Sequence, residues 1–446
     1  MPARSVSPRA RPITQPRLLL PALVIILVGS AVTLPTASAS DAGGRVLRVA
    51  PLSSALAGST GPSPLQAAVD AALPGDHIRL AAGTYEGQVV ISRSGTAAAP
   101  ITIEPDGSGP VTVTATFRAQ LCDSSTPSVR RTFYSDNGSD YWTIQGLRIV
   151  NGVWLSGTNS NLVASWFHDK ARTKDWQTRR SLPGRGTNDP VAAEAIYAAL
   201  TTKVGVPVDP AEGWKILDND ISGRGVHATV TRGGELGGNT IHDVDCGVGP
   251  GAWLTTYSDA WAVHDNSVAR IAPSTYRHYM QEGIRFGSAS SYNLIERNVV
   301  SDLPGDGRGI TTDIDASYNV FRNNSVLRTQ MGFNDQQSGW ENQWLYNTAD
   351  AIRGPAFAFR GADAKLVAPS FNSSTYRAHV ECNRVTNSVR PMTAGALMES
   401  TFVNNYFNKV TLSANLKTYW KQYNNRWNGS TELPPSSPPQ PPAGSC

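Results

Sequence analysis

A short pattern of apolar and polar positions recurs along the second half of the chain. Each copy has an apolar residue, two variable residues, an asparagine, one variable residue and a second apolar residue. The asparagines of the eight full copies and of a weaker ninth copy are Asn219, Asn239, Asn266, Asn298, Asn324, Asn347, Asn383, Asn405 and Asn425. They follow one another at intervals of 20, 27, 32, 26, 23, 36, 22 and 20 residues. A shortest period of about 20 residues with longer excursions predicts a solenoid of short strands, with insertions in the turns.

The asparagine and its apolar neighbours have different roles in such a coil. Asparagine tolerates the left-handed backbone of a tight bend, and its amide can bond the asparagine of the next coil at the strand spacing of about 4.8 Å. The apolar residues on either side are expected to point into the solenoid and to stack on their equivalents. Two earlier segments, 144–149 and 162–167, have the same frame without asparagine, and we interpret both as coils.

A short helix is predicted where the coils begin. Ser63 is placed as the N-cap and Pro64 as the first helical residue, and the apolar face comprises Leu65, Ala68, Val69 and Ala72. The sequence Pro-Gly-Asp at 74–76 ends the helix. We expect this helix to cover the open end of the solenoid, which would otherwise expose a sheet edge and the core.

The residues around this helix resemble a known family. The stretches 65–68 (LQAA), 74–78 (PGDHI), 82–85 (AGTY) and 95–103 (GTAAAPITI) are similar to the entry of pectate-lyase-like right-handed β-helix proteins, especially the family of alginate lyases and chondroitinase B. The resemblance implies that fold over about residues 60–430 and an action on polysaccharides. That family carries its catalytic Lys and Arg in a stretch resembling Arg-His-Gly followed by Asn. This chain lacks such a stretch, so no catalytic residue is carried over.

The expected fold class is therefore all-β, a right-handed parallel β-helix with an N-terminal capping helix. We predict a signal peptide at 1–39, a lead-in at 40–62, the β-helix at 63–430 and a Pro/Ser-rich tail at 431–446. An insertion at 169–213 interrupts the coils, and 190–199 is predicted to form a short helix there. Composition agrees with many short strands, because charged residues are only 17% of a chain that contains 40 Gly and 30 Pro.

The N-terminus has the pattern of a secretion signal. Four arginines precede an apolar stretch at about 18–35, and 37–39 read Ala-Ser-Ala, a cleavage site of small residues. We expect the mature chain to begin near Ser40, to be secreted and to carry no membrane segment after cleavage. An uncleaved membrane anchor is the alternative, because the apolar run approaches the length that spans a bilayer.

Removal of the signal leaves the charges balanced. The 39 basic residues fall to 35 when the four arginines leave, against 35 acidic residues. We therefore expect no nucleic-acid binding, which needs a clustered basic surface. The cysteines, Cys122, Cys246, Cys382 and Cys446, show neither zinc nor redox spacing, and export permits one or two disulfides whose pairing the spacing leaves open. We expect a monomer.

Side chains along a strand alternate between the core and the outside of a solenoid. Aligning the strands by their apolar positions predicts the inward residues Val226, Ile284, Phe286, Ile310, Ile314, Phe333, Phe357 and Phe359. The outward residues are then His227, Thr229, Arg285, Thr311, Asp313, Asp315, Asn334, Gln336 and Arg360. Cations, carboxylates and amides thus share one face over several coils, and such faces are where solenoids usually bind long ligands.

The first hypothesis is a lyase that cleaves a uronate-containing extracellular polysaccharide by β-elimination. That reaction neutralises the substrate carboxylate, removes the adjacent proton and protonates the leaving oxygen. Arg285 or a calcium ion would neutralise the carboxylate, and calcium suits hard oxygen ligands. The candidate catalytic residues are Arg285, Arg308, Asp313, His227 and Asp315; the candidate metal ligands are Glu282, Asp313 and Asp315; the candidate substrate-binding residues are Asn334, Arg360, Tyr279 and Trp253. Among them Arg308, His227 or Tyr279 would serve as base or acid.

The second hypothesis is a glycoside hydrolase, which needs one carboxylate as acid and a second as base or nucleophile. These stand about 6.5–9.5 Å apart in inverting and about 5–5.5 Å apart in retaining enzymes. Asp313 and Asp315, two apart on one strand, would have side chains roughly 6–7 Å apart. Asp306 and Asp335 could complete the set, Asp335 only if its strand has already turned. The chain resembles the polygalacturonase family in fold but lacks its full set of motifs.

The third hypothesis is a glycan-binding or adhesion solenoid without catalysis. Exposed aromatic residues would stack on sugar rings, and the candidates are Trp253, Tyr257, Trp261, Tyr276 and Tyr279. All three hypotheses are weighed against a purely structural alternative, in which Arg285 and Asp313 form an ordinary ion pair between coils and His227 is structural.

Overall fold

The computed structural model describes residues 37–40, 43–52, 62–115, 131–172, 186–244, 251–272, 281–336, 339–359, 375–394, 397–407, 420–423, 426–427 and 446. All of them belong to one compact unit, Pro35–Cys446. Three helices are described, which we number α1 (Pro64–Ala71), α2 (Ser160–Arg172) and α3 (Pro190–Val204).

Most of the chain forms three long sheets whose strands follow one another in turn. The first sheet contains β1 (Ala37–Ser40), β2 (Gly43–Val49), β3 (His77–Leu80), β6 (Ile101–Pro105), β9 (Trp142–Gln145), β13 (Lys215–Leu217), β16 (Glu235–Gly237), β19 (Ala262–His264), β22 (Leu294–Glu296), β25 (Val320–Arg322), β28 (Gln343–Leu345), β32 (His379–Glu381), β36 (Ser400–Val403) and β38 (Trp420–Tyr423). The second contains β4 (Gly83–Glu86), β7 (Val111–Thr114), β10 (Arg148–Val150), β14 (Asp220–Gly223), β17 (Thr240–Val244), β20 (Ser267–Ile271), β23 (Val299–Ser301), β26 (Ser325–Leu327), β29 (Thr348–Asp350), β33 (Arg384–Thr386), β37 (Tyr406–Phe407) and β39 (Arg426–Trp427).

The third sheet contains β5 (Val89–Val90), β8 (Phe133–Ser135), β11 (Val153–Ser156), β15 (Val226–Arg232), β18 (Ala252–Asp259), β21 (Glu282–Gly287), β24 (Arg308–Thr312), β27 (Met331–Asp335), β30 (Pro355–Phe359) and β34 (Arg390–Ala394), with β12 (Ala211–Glu212) paired to β15. A small pair consists of β31 (Thr375–Tyr376) and β35 (Leu397–Met398). Every described strand pair is parallel except β1 with β2. Each coil visits the first, second and third sheets in order, so the chain is a right-handed parallel β-helix, as predicted.

Apolar side chains stacked in register fill the interior. At equivalent positions of the third sheet, Ile284, Ile310, Phe333 and Phe357 lie one above the other and are fully buried. Phe321 and Trp344 stack with ring centroids 4.0 Å apart in the first sheet. One continuous cluster joins such residues from Leu47 to Phe407, and it supplies the main hydrophobic stabilisation of the described coils.

The predicted asparagine ladder is present between the first and second sheets, at a turn we call the Asn bend. Each amide from Asn219 to Asn383 donates from Nδ2 to Oδ1 of the next asparagine, at 2.9 to 3.1 Å. The left-handed residue is the one before each asparagine, for example Asp218 and Arg297, and not the asparagine itself. The backbone reason given for asparagine is therefore wrong, whereas the amide ladder is confirmed. Asn425 lies outside the described residues.

A second, shorter ladder that the sequence pattern did not reveal runs between the third and first sheets, at a turn we call the long bend. Asn293 donates to Asn319 at 3.0 Å, and Asn319 donates to Asn342 at 3.2 Å. In these coils the described part of the long bend comprises residues 288–293, 313–319, 336 and 339–342, whereas only residues 233–234 and 260–261 separate the same sheets in the two preceding coils. The long bend is therefore where these coils accept extra residues.

The helices correct two sequence assignments. The frame at 162–167 is part of α2 and not a coil, because Val163 and Phe167 are buried on one helical face. The predicted short helix at 190–199 is α3 and extends to Val204. Helix α1 has Ser63 as its N-cap and joins the core through Leu65, Ala68 and Val69, while its closure of the solenoid end stays a prediction.

The first described strand contains the predicted cleavage site. Strand β1 pairs with β2, with Ala37 opposite Leu47, so the predicted cleavage after Ala39 would fall within a strand.

Cys382, a residue of the Asn bend, is disulfide-bonded to Cys446, while Cys122 and Cys246 lie outside the described residues. Among the described helices, none is long and apolar enough to cross a membrane.

Candidate functional site

One column of side chains runs across the outward face of the third sheet. Strand register places Trp154, His227, Trp253, Arg285, Thr311, Asn334 and Ala358 at equivalent positions of consecutive strands. Residues that alternate with them, such as Leu254 and Phe286, face the core. The outward placement expected for His227, Arg285, Thr311 and Asn334 is thus present in the structure. We call the seven residues in register the outward column.

The first half of the outward column is aromatic. The His227 ring lies between Trp154 and Trp253, with ring centroids 3.9 and 4.4 Å away. Burial, helped by the positive charge of Arg131, holds the pKa of His227 well below its usual range. His227 is therefore a neutral ring covered on both faces, an environment that favours a packing role over proton transfer.

The second half is ionic and begins where Trp253 meets the guanidinium of Arg285, 5.9 Å from the ring centroid. Arg285 Nη1 bonds Glu282 Oε2 at 2.5 Å, and its Nη2 bonds Asp313 Oδ2. Arg308 Nη1 reaches Glu282 Oε1 at 3.3 Å and Gln336 Oε1 at 2.9 Å. Two arginines and two carboxylates thus form one charge-balanced network, in which the predicted ion pair between Arg285 and Asp313 is present.

Two glycines bring this network to the corner of the solenoid. A Cβ at Gly283 would lie 2.3 Å from Val300 Cγ1, and a Cβ at Gly309 would lie 2.3 Å from Val326 Cγ1. Only glycine permits so close an approach to the second sheet. The preceding residues, Glu282 and Arg308, are therefore placed side by side at the start of their strands.

Four buried polar atoms around the network have no hydrogen-bond partner among the described residues. They are Trp253 Nε1, Thr311 Oγ1, Asp313 Oδ1 and Asn334 Oδ1. Unpaired buried polar groups are rare in folded proteins, because each costs about 1–3 kcal/mol of desolvation. These four atoms lie on consecutive coils of one face beside the ionic network, and we therefore take this face, with Arg285 at its centre, as the candidate functional site.

The helical insertion packs beside this site. Val163 and Phe167 of α2 and Ile196 and Leu200 of α3 cluster with residues of the third sheet and the long bend, including Val230, Tyr257, Ala289 and Ile314. Ile314 therefore belongs to this second cluster, and its predicted place inside the solenoid is wrong. The insertion supports the turn that carries Asp313 and Asp315.

The remaining candidate carboxylates have different surroundings. Asp315 is a buried left-handed residue of the same turn as Asp313. Asp306 is exposed before β24. Asp335 is buried and accepts a hydrogen bond from Asn342 Nδ2 at 3.0 Å, and burial raises its pKa to about 6. Asp335 therefore serves the second ladder, and it does not join Asp313 on the outward face.

The predicted calcium ligands do not form an open set of oxygens. Glu282 and Asp313 both turn towards the guanidinium of Arg285, which lies between them. Among the described residues, no group of three His, Cys, Asp or Glu side chains is arranged to hold a metal ion. The residues as placed do not fit calcium, so calcium binding stays a prediction and we derive no chemistry from it.

Two predicted substrate-binding residues, Tyr279 and Arg360, lie outside the described residues. Trp253 and Asn334 lie on the outward column, on either side of the network. Sequence reasoning missed Trp154, because the outward row was aligned only through later coils. The alternation in Val153-Trp154-Leu155 was the signal that could have placed it.

Comparison with known proteins gives one family match. The family model for Chondroitinase B matches residues 60–193, less than a third of the chain. This match agrees with the resemblance to pectate-lyase-like β-helices seen in the sequence and supports a protein that acts on polysaccharides. No curated protein matches the chain.

Several solved structures are similar at low identity. Pectate lyase Pel9A is 13% identical, with 87% of this chain and 81% of that chain covered at a TM-score of 0.48. A mannuronic acid specific polysaccharide family 6 lyase from human gut microbiota is 14% identical, with 86% of each chain covered at 0.43. A family 28 exopolygalacturonase from Yersinia enterocolitica is 13% identical, with 82% and 74% covered at 0.44. Similarities of this size carry no inference about substrate or chemistry.

Proposed function

We propose that this protein is a lyase that cleaves a uronate-containing polysaccharide by β-elimination on the outward face of the third sheet. The observation that carries the proposal is the set of unpaired buried polar atoms around the Glu282–Arg285–Asp313–Arg308 network. Cationic donors beside a carboxylate oxygen that bonds no described residue meet the two main needs of β-elimination, which are carboxylate neutralisation and a base. The Chondroitinase B match over residues 60–193 supports the same substrate class.

The roles of individual residues follow from which atoms are already engaged. Arg285 holds Asp313 Oδ2, so Arg285 positions this carboxylate and leaves Oδ1 for the substrate. Arg308 uses Nη1 for Glu282 and Gln336, and its Nε and Nη2 have no partner among the described residues. Arg308 is therefore placed to neutralise the substrate carboxylate, and Asp313 to act as the base.

The step balances with Asp313 as both base and acid. Asp313 Oδ1 takes the proton next to the substrate carboxylate, and the electron pair of that C–H bond forms the new carbon–carbon double bond. The bond to the leaving oxygen breaks with its electron pair, and the proton on Asp313 passes to that oxygen. No water is consumed, so the unsaturated product is lighter by one water than the product of hydrolysis.

Mass spectrometry of products from alginate, pectate and glycosaminoglycans tests this function. We expect unsaturated oligosaccharides from the wild type, and a loss of at least about 100-fold in kcat/KM for Asp313→Asn and Arg308→Gln. Arg322→Gln is the matched control, because it breaks a similar pair between coils, to Glu296 at 2.6 Å, in the first sheet. A chelator added in parallel tests calcium.

Other outcomes point elsewhere. Full-mass oligosaccharides would establish a glycoside hydrolase, with Asp313 and its neighbour Asp315 as the carboxylates to test. Binding without products would establish a glycan-binding solenoid. Retention of full activity by Asp313→Asn would contradict the proposed site. We also propose export from the pattern at residues 1–39, which N-terminal sequencing of the protein from culture medium checks.

A further inference from the structure

A second surface with its own chemistry lies on the long bend. The residue before each asparagine of the second ladder is left-handed and points along the bend: Tyr292, Tyr318 and Glu341, followed by Arg377 in the next coil. Tyr292 and Tyr318 stack with ring centroids 4.9 Å apart and an interplanar angle of 12°. Two successive coils thus place half-buried aromatic rings at the surface.

The ring column stops at Tyr318, and a cleft begins there. The next coil has Glu341 in the equivalent position, so within the described residues no ring covers the second face of Tyr318. Glu341 Oε1 lies 3.6 Å from Arg377 Nη1, which draws its carboxylate towards the following coil. A cavity of about 400 Å³ results, lined by Tyr292, Tyr318, Glu341, Gln343, Arg377 and His379.

Polar side chains surround this ring face at fixed positions. Gln343 and His379 are adjacent in strand register, and the side-chain amide of the exposed Gln343 bonds no described residue. Arg377 pairs with Glu399 at 3.1 Å and lies 4.8 Å from the Tyr376 ring centroid, which places its guanidinium beside the cleft. An aromatic face bordered by an amide, a guanidinium and an imidazole complements a pyranose ring, which has an apolar face and hydroxyl groups at its edge.

We propose that this cleft is a separate carbohydrate-binding site, in which a pyranose ring of a polysaccharide packs on the open face of Tyr318 while its hydroxyls bond Gln343 and Arg377. This inference rests on the proposed function only in the choice of a polysaccharide as the ligand. The cleft and the Asp313 network share a coil, since β24 and its turn carry both Asp313 and Tyr318. A polymer held in the cleft would therefore stay beside the outward column between cleavage events.

Affinity electrophoresis in gels containing alginate, pectate or chondroitin sulfate tests the site. We expect Tyr318→Ala to weaken retention by about tenfold, because one ring contact is lost. Tyr346→Ala is the matched control, since Tyr346 occupies the same left-handed position on the Asn bend, with φ 55° against 59°, and is 50% exposed. We expect Tyr346→Ala to bind as the wild type does, and both variants to keep the wild-type kcat on short oligosaccharides.

Two further measurements test the cleft if Tyr318→Ala does not fold or if cleavage obscures binding. Gln343→Ala, a change at an exposed residue, is expected to weaken retention about threefold if Tyr318→Ala fails to fold. Binding measured in the Asp313→Asn background separates the cleft from catalysis, because cleavage of the polymer is suppressed there and the loss caused by Tyr318→Ala is read against an unchanged outward column. Equal retention of the wild type and Tyr318→Ala, equal weakening by Tyr346→Ala, or no binding of any polymer by the wild type would each overturn the inference.

Discussion

The two asparagine ladders use the same amide contact, but they differ in regularity. On the Asn bend, asparagine recurs in every described coil from Asn219 to Asn405, and each turn between strands is short. On the long bend the ladder has only Asn293, Asn319 and Asn342 before Ala378 interrupts it. The difference shows that one corner of the solenoid maintains coil spacing, while the other accepts insertions.

Functional groups concentrate at the irregular corner. The long bend supplies Asp313, Asp315 and Tyr318, and the strands leading into it supply Arg285 and Arg308. The Asn bend supplies mainly exposed pairs such as Asp265 with Arg297, at 2.8 Å. We infer that regular hydrogen bonding at one corner stabilises the coils enough for the other corner to vary.

The largest loss of stability is expected from removing Arg285, which joins its strand to Asp313 of the long bend. Arg285→Met would leave the fully buried Glu282 and the carboxylate of Asp313 without this partner, and should lower the free energy of unfolding by about 3–5 kcal/mol. Urea denaturation followed by circular dichroism measures the change. Arg322→Met, which removes the pair between the half-exposed Arg322 and Glu296, should cost about 1 kcal/mol, because Glu296 keeps Arg297 as a second partner. Equal costs for the two variants would contradict this account.

The next effect concerns the middle of the regular ladder. Asn298→Ala removes bonds to Asn266, Asn324 and the carbonyl of Val263, and leaves their buried partners unsatisfied. We expect a loss of about 3 kcal/mol in the free energy of unfolding by the same measurement. A loss below about 1 kcal/mol would show that the ladder is incidental to stability.

A pH titration distinguishes the ladders further, because only the second ends on a buried carboxylate. The pKa of Asp335 is raised by burial from 3.8 to about 6, so the folded state favours its protonated form. This contribution is fully present below pH 3.8 and is lost as pH rises through about 6. Asp335→Asn should remove about 2 kcal/mol of pH dependence between pH 4 and 7, seen as a flatter profile of unfolding free energy against pH. Asp140, whose pKa burial also raises to about 6, titrates in both proteins and cancels in the difference.

The smallest effect is expected from Asn319→Ala on the second ladder. Asn319 accepts from Asn293 at 3.0 Å, but the bonds it donates to Asn342 and to the carbonyl of Ser290 are 3.2 and 3.3 Å long, and the longer turn can relax around the change. We expect a cost of about 1.5 kcal/mol, half that of Asn298→Ala, in the same urea experiment. A cost equal to or above that of Asn298→Ala would remove the distinction between the two corners.

The sequence was informative where one coil repeats the chemistry of the next. The eight asparagines predicted the coils because each keeps the same distance from its flanking apolar residues. The second ladder was missed although Asn293, Asn319 and Asn342 each stand five residues before Asn298, Asn324 and Asn347. This regular spacing was hard to see because the long bend before each of these asparagines varies in length. No apolar residue therefore stands at a constant distance on that side.

The candidate site was harder to predict for a related reason. Alternation correctly placed Arg285 and Asn334 outward, but it could not show that Trp154 and Trp253 enclose His227. Nor could it show that Ile314 leaves the core for the helical insertion, since that contact joins residues more than 100 positions apart. Contacts between an insertion and a bend depend on tertiary packing, which a local pattern does not encode.

The asparagine ladder also gives the solenoid an electrical direction. Every amide from Asn219 to Asn383 donates towards the coil that follows, so the side-chain dipoles add head to tail along the axis as peptide dipoles do in a helix. Each bond polarises its neighbours in the same sense, which strengthens the row cooperatively. The row therefore has a polarity: at its first described member the amide oxygen of Asn219 accepts the backbone N–H of Leu147, and each later described oxygen accepts from the asparagine of the preceding coil.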